Sequence, residues 1–486
     1  MRRRWGTIVV LWAALVAAAA GCTSGDGLSG DGRRQMSLPE GSSTTSAAGG
    51  VVSRRPKGGS VRVGVWGEPD PGAATLAGAG VRALVLPQLF VAGPDGRWTG
   101  SLVEPGSDRT AVDRRSATLS LRKGAQWSDG TPITAVDLRR SADGRFVAGI
   151  DEGAPGGPLT LRFTQPLPGW RRLWSGSESV PAPRAGVWGG PFVVAERTPG
   201  LEAVLRRNDR WYGGPVALLD EVRLVLVPDD TIARQLLAKG ALDVVMPPPT
   251  TVRTRQLESL EGVEVEVASR TGWWVGLLLR ADRLPRERRL ALVATVDRDA
   301  FVGMLLQQEA TVLEGFAGSG DRTWAGVKVG VPAGGVAPGA VKGPAIELTG
   351  QIEEPMTPLL QRAMQKRARS LGGILELRNA EADRVEPWVA DGEYQAAIVM
   401  LVDGPVVCWT CRWGSADQAL AAGADAGDAA AITALEAKLR DDALLLPLWR
   451  PTVVVAWRDG LHGPKANGYA VNAAWNAALW WKKPGS

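Results

Sequence analysis

The chain has 486 residues, 45% of them hydrophobic and 22% charged, a balance that fills buried cores and excludes a disordered polymer. At this length one core stops growing, so two or three domains are expected. The formal charge of +5 falls to +2 once Arg2, Arg3 and Arg4 are removed with the segment that carries them, and without long Lys/Arg clusters the mature chain is not expected to bind nucleic acid.

Arg2 to Arg4 form a positive n-region, and residues 8–20 form an apolar run too short to span a membrane, together an export signal over residues 1–21. Ala19-Ala20-Gly21-Cys22 resembles a lipobox, in which small residues admit the peptidase and the cysteine thiol accepts a diacylglycerol. Cys22 is therefore the expected lipidation site, with plain secretion and a spare thiol as the alternative. Residues 23–57 are rich in Gly, Ser, Thr and Asp and cannot offset the entropy of ordering, so 22–57 is expected to act as a tether. Its r.m.s. reach is on the order of 30 Å.

Val61, Val63 and Val65 alternate as a first strand, and Pro69 and Pro71 forbid its continuation. Trp66 follows that strand directly, where α/β sheets commonly contact ligand, and is either a cleft residue or a cap on the core. Residues 119–138 read LSLRKGAQWSDGTPITAVDL. Leu119 and Leu121 alternate as a strand, Asp129-Gly130 and Pro132 make a turn, and Thr134 with Asp137 has the spacing of a capping box, predicting a helix from Ala135.

That run resembles the LRKGxxWxDGTPxTAxD signature of the family 5 extracellular solute-binding proteins, the peptide- and nickel-type receptors of ABC importers. Three further segments fall in the family's order: residues 189–245, TVDRDAFVGMLL, and DDALLLPLWRPTVVVAWRDGLHG. The resemblance implies an α/β, two-lobed periplasmic-binding-protein-like fold of the large type II class, with a hinge crossed twice. Lobe I is expected over 58–270, lobe II over 271–446, and a return to lobe I over 447–486. After Asp137 the family pattern breaks at Gly144, Gly149, Gly156 and Gly157, so the accessory subdomain, about 95–185, looks trimmed.

The remaining elements follow from pattern. Strands alternate at Leu201–Leu205 and Val222–Leu226, and a helix capped by Asp229 or Asp230 stops at Gly240. Trp273 and Trp274 occupy adjacent strand positions, so their rings point to opposite faces and at most one meets the cleft. Helices over 286–296, 299–307 and 358–371 alternate with strands at 345–348, 374–377 and 396–402, a second α/β lobe. Arg289, Asp297 and Arg298 are read as structural.

Chemistry-bearing residues are sparse. His462 is the single histidine, and no HExxH, Walker A, paired CxxC or Gly-x-Ser-x-Gly run occurs, so an enzyme, a metal site and a cofactor are not expected. Cys408 and Cys411 are expected to pair as a disulfide in an exported protein, with redox chemistry as the alternative. Asp403 stands where peptide-binding relatives carry the carboxylate that pairs with a peptide α-amino group, although DGPVV here replaces the family's DYPDP; a turn-initiating Asp is the other reading. Among the 20 tryptophans, Trp66, Trp273 or Trp274, Trp409 and Trp413 are the ligand-wall candidates. The resemblance implies a peptide or other small organic solute, a permease partner and a membrane anchor through the N-terminal lipid, with a non-transporting sensory or scaffold lipoprotein as the alternative.

Overall fold

Alternating apolar residues generate two large sheets, and the order of their strands brings both chain crossings to one edge. The computed structural model describes residues 56–483, apart from 74, 143, 145, 168, 177–178, 215, 248–252, 269–270, 305–309, 314–341, 352–355, 381–384, 386–387, 390–391, 403–416, 426–427 and 471. Cys22, Asp403, Cys408, Trp409, Cys411 and Trp413 therefore lie outside the described residues, as do the signal segment and most of the tether.

The chain enters through β1 (Ser60–Val65) and α1 (Leu76–Val85), the latter capped by Thr75, whose hydroxyl accepts the Gly78 amide. A hairpin, β2 (Phe90–Ala92) and β3 (Trp98–Gly100), leads to a four-stranded sheet in the order β4 (Arg109–Thr110), β5 (Ser116–Leu119), β7 (Leu159–Phe163) and β6 (Val147–Glu152). The 119–138 run builds its packing partner. The strand ends at Leu119, earlier than the Leu119/Leu121 alternation predicts, and Leu121 makes only an isolated bridge to Val103. Gly130 takes φ +90°, which its missing Cβ permits, and Trp127 is buried. The capping box forms at α2 (Ala135–Ser141): the Thr134 amide donates to Asp137 Oδ2 at 2.8 Å and the Val136 amide to Thr134 Oγ1 at 3.3 Å. Trp127, Leu138 and Trp170 close a separate core under this sheet.

The main sheet of the first lobe continues with β8 (Phe192–Thr198), β9 (Glu202–Arg207), β10 (Glu221–Leu226), α3 (Asp230–Ala238), β11 (Val244–Val245), α4 (Arg253–Glu258) and β12 (Val263–Ala268). Asp229 is the α3 cap, accepting the Ile232 amide at 2.8 Å, and Gly240 beyond its end has φ +70°. β1 lies parallel to both β10 and β11.

The six-stranded second sheet begins with β13 (Trp273–Leu279), followed by α5 (Arg286–Val293), α6 (Arg298–Met304), β14 (Ala310–Val312), β15 (Ile346–Gln351), α7 (Met356–Ser370), β16 (Leu375–Ala380) and β17 (Ala396–Val402). After α8 (Gln418–Asp425) and α9 (Ala429–Asp441), β18 (Leu445–Pro451) inserts beside β13. Both faces are covered, because Val275, Leu277 and Leu279 enter one core while Trp274 and Leu278 enter another. The charges read as structural are so: Arg289 donates to the carbonyls of Leu284 and Asp442, Asp297 caps α6 through the Ala300 amide, and Arg298 holds the Leu313 and Pro447 carbonyls.

A return to the first lobe at 447 needs correction. Residues 445–451 are buried throughout and pair with β13 and β14, so the chain leaves the second sheet only after Pro451. It then re-enters the first sheet as β19 (Val453–Arg458), between β11 and β12. The short pair β20 (Leu461–His462) and β21 (Trp481–Lys482) ends the fold, with Trp480 wholly buried in the first-lobe core.

Candidate functional site

Strand direction locates the site before any side chain does. In the first sheet β1, β10, β11 and β12 all run toward the end where Ala268 pairs with Val453. In the second, β15 and β16 run parallel to β17, which ends at Val402 opposite Trp273. Both sheets thus present the carboxyl ends of their parallel strands to the crossings, the usual position for ligand contact in open α/β sheets.

Trp66 leaves β1 at this edge. It is half-buried against the face formed by Val227, Leu242 and Val454, and its indole Nε1 is buried without a hydrogen-bond partner among the described residues. The loop behind it is held by charge. Arg197 reaches Asp70 at 2.8 Å and Glu68 at 3.5 Å, while Glu68 Oε2 accepts the Gly200 amide at 2.9 Å. Arg82 of α1 donates to the Pro71 and Ala73 carbonyls, and burial lowers its guanidinium from the usual value while Asp70 opposes that shift.

Trp273 is half-buried against the core that holds Val275 and Trp449, whereas Trp274 is buried in the opposite core. Alternation therefore separates the pair, and Trp273 is the one left at the crossing edge. Trp274 belongs to the core and is set aside as a ligand contact. Of the remaining candidates, Asp403 follows Val402 in sequence, and it, Trp409 and Trp413 lie outside the described residues.

The crossings are tied by buried guanidinium groups that sequence pattern alone does not distinguish. Arg450, 4% exposed at the end of β18, donates to the Thr271 carbonyl in the other crossing. Thr271 Oγ1 donates to the Trp273 carbonyl at 2.8 Å, and the Gly272 amide donates to the Gly468 carbonyl at 3.0 Å. Arg253 of α4 donates to the Pro247 carbonyl at 2.7 Å and to the Thr452 carbonyl. For Arg450 the hint in sequence is an arginine within an otherwise apolar strand, whereas Arg253 opens the polar helix α4 and carries none. Among the described residues no group of His, Cys, Asp and Glu side chains is placed to hold a metal ion, and no helix is long and apolar enough to cross a membrane.

Comparison with known proteins bears on this architecture. Residues 174–331, which run from the accessory region into the second lobe, match the model of the bacterial extracellular solute-binding proteins, family 5 Middle. Over that stretch, about a third of the chain, it resembles the family 5 extracellular solute-binding proteins. The chain is 29% identical over 199 residues to the oligopeptide-binding protein OppA of Mycobacterium tuberculosis, covering 34% of the chain and 33% of that relative. It is 26% identical over 275 residues to the probable peptide ABC transporter periplasmic-binding protein y4tO of Sinorhizobium fredii, covering 48% and 51%. The matches thus span a third to a half of these relatives' length. The fold is shared with the Bacillus subtilis oligopeptide-binding protein AppA in complex with a nonapeptide, at TM-score 0.73 and 14% identity over 88% of this chain and all of that one. The Escherichia coli murein tripeptide binding protein MppA aligns at TM-score 0.71 and 16% identity, over 87% and 98%. The chain shares the two-lobed α/β fold of these periplasmic binding proteins.

Proposed function

We propose that the protein is a lipid-anchored extracytoplasmic receptor that closes on an oligopeptide-like solute and delivers it to an ABC importer. The observation that carries this reading is the meeting of the two sets of carboxyl strand ends at an edge crossed twice among the described residues, with Trp66 on one side and Trp273 on the other. Two short crossings let the lobes rotate as units about the edge where a guest would sit. Indole faces supply apolar walls that accept varied side chains, while polar groups fix the backbone of an extended ligand. Peptide specificity rests on the named relatives, OppA and y4tO, and on Asp403 as the partner of a free α-amino group. The domain limits proposed are 58–270 and 453–486 for lobe I, with the accessory subdomain at about 95–185, and 271–451 for lobe II.

A thermal-shift screen over peptides of graded length tests the reading. A ligand at a hundred times its Kd stabilises the folded state by about 2.7 kcal/mol. A rise in melting temperature with peptides, larger for free than for N-acetylated ones, is expected. Silence across the whole screen overturns the receptor assignment in favour of a scaffold. Anchoring is tested separately by the mass of the N-terminal peptide, which should begin at Cys22 and carry a diacylglycerol.

A further inference from the structure

Arg253 is 3% exposed at the start of α4, and its guanidinium reaches two segments that meet at the crossing edge. Nη1 donates to the Pro247 carbonyl at 2.7 Å, just past the carboxyl end of β11. Nη2 donates to the Thr452 carbonyl and lies 3.3 Å from Thr452 Oγ1. Pro247 belongs to the edge where a ligand would sit, and Thr452 is the one residue between β18 and β19, the second passage from lobe to lobe. One buried guanidinium thus spans from the ligand edge to the hinge.

The surroundings leave that hinge few torsions. Pro451 has its φ fixed by the ring, and Thr452 is gripped through both its carbonyl and its hydroxyl. At the first crossing the Gly272 amide donates to the Gly468 carbonyl and Thr271 bridges the same residue, so that passage too is tied to the first-lobe tail. Rotation of the second lobe falls on the ψ of Pro451 and the φ of Thr452, and Arg253 holds the frame from which it starts. Stability alone does not call for such a group. Desolvating a guanidinium is costly, and bonds to neutral carbonyls return only part of that cost. What an apolar side chain cannot do is hold carbonyls of two different segments at a set angle, which the planar fork does.

We propose that Arg253 is a positioning residue that couples the β11 end of the ligand edge to the hinge at Thr452, so that the lobes of the empty protein are already held in the orientation that admits ligand. This deepens the receptor reading and rests on it for the binding half of the test only.

The test replaces Arg253 in the mature chain, with Cys22→Ser in every variant so that no lipid interferes. Arg253→Lys keeps the charge but has no planar fork, and a single ammonium cannot hold both carbonyls at the same angle. Urea unfolding first shows that each variant starts folded. Pulsed dipolar spectroscopy between paramagnetic labels on unnatural side chains at Leu201 and Ile374, both more than half exposed, gives the spread of interlobe distance without ligand. Stopped-flow mixing with tetra-alanine, or with the strongest binder of the peptide screen, gives the association and dissociation rates. Arg253→Lys is expected to broaden the distance distribution and to weaken binding about tenfold, as the competent fraction falls from near one to about one tenth. The loss should lie in association, because no ligand contact is removed. Arg253→Met should behave alike at lower stability. If it does not fold, Thr452→Val, which keeps the β-branched shape and deletes the hydroxyl acceptor, should broaden the distribution to a smaller degree. Parental width or parental affinity in Arg253→Lys overturns the proposal and leaves Arg253 a structural group. A loss confined to faster dissociation overturns it as well, since that marks a ligand contact. Should no peptide of the screen bind the parent, the receptor reading fails and the width alone decides: broadening keeps the hinge role of Arg253, and an unchanged width removes it.

Discussion

Replacing Arg450 by methionine removes the guanidinium that joins the two crossings while leaving an unbranched apolar side chain in its place. Arg450 is 4% exposed, so water offers little compensation, and its bond to the Thr271 carbonyl is charge-assisted. A hydrogen bond to a charged group contributes about 1.5–3 kcal/mol, and the carbonyl left behind keeps its desolvation cost. Relief of the buried charge works in the other direction, which sets the expected loss near 2 kcal/mol. With a urea dependence of about 2 kcal/mol per molar, the unfolding midpoint should fall by about 1 M at unchanged slope. Peptide affinity should fall as well, because the Thr271–Trp273 segment no longer has its position fixed from the other crossing. An unfolding midpoint within about 0.2 M of the parent would refute the reasoning and show that Arg450 is an incidental passenger in β18.

Asp243 accepts from the Arg62 amide at 2.7 Å, from Arg62 Nε at 3.2 Å and from Lys482 Nζ at 3.0 Å, so Asp243→Asn should cost about 2–3 kcal/mol in chemical denaturation, less than the full value for a buried pair because Arg62 is partly exposed. Trp480→Ala empties a fully buried site and loses the bond to Asn476, and should cost about 3–5 kcal/mol with a correspondingly large drop in melting temperature. Burial pushes the Tyr212 phenol well above its ordinary value, with Arg122 opposing. Its neutral form is favoured in the folded state, so that contribution is intact below about pH 10 and is lost as the unfolded phenol ionises above it; an ultraviolet titration of the 3 tyrosines should show one that ionises only with unfolding, and Tyr212→Phe should reduce the alkaline loss. Asp403→Asn should weaken free-amine peptides by about 3–5 kcal/mol in calorimetry and N-acetylated ones hardly at all; equal affinities would make Asp403 a turn residue.

Local rules were legible where one neighbour decides the outcome. Thr134 and Asp137 are three residues apart and form their capping box whatever the fold, and the opposite facing of Trp273 and Trp274 follows from strand geometry alone. Legibility failed where distant partners decide. Nothing around residues 445–451 tells an apolar strand which of two sheets it will join, because both offer buried faces, and the register with β13 chooses. The Arg197 knot with Glu68 and Asp70 joins residues more than a hundred positions apart. Asp403 and the Cys408/Cys411 pair stand as sequence expectations, outside the described residues.

The second crossing has a mechanical meaning of its own. Only Thr452 separates β18 from β19, so at that point the two sheets share a pin one residue long, while the first crossing, between Ala268 and Trp273, is longer in sequence. A rotation about such a pin displaces each atom in proportion to its distance from Thr452. Residues beside it are nearly stationary, and the outer strands β8 and β16, at the far ends of the two sheets, sweep the longest arcs. Spectroscopic labels attached there would read small angular changes as large separations, whereas labels near Thr452 would stay silent through the same motion.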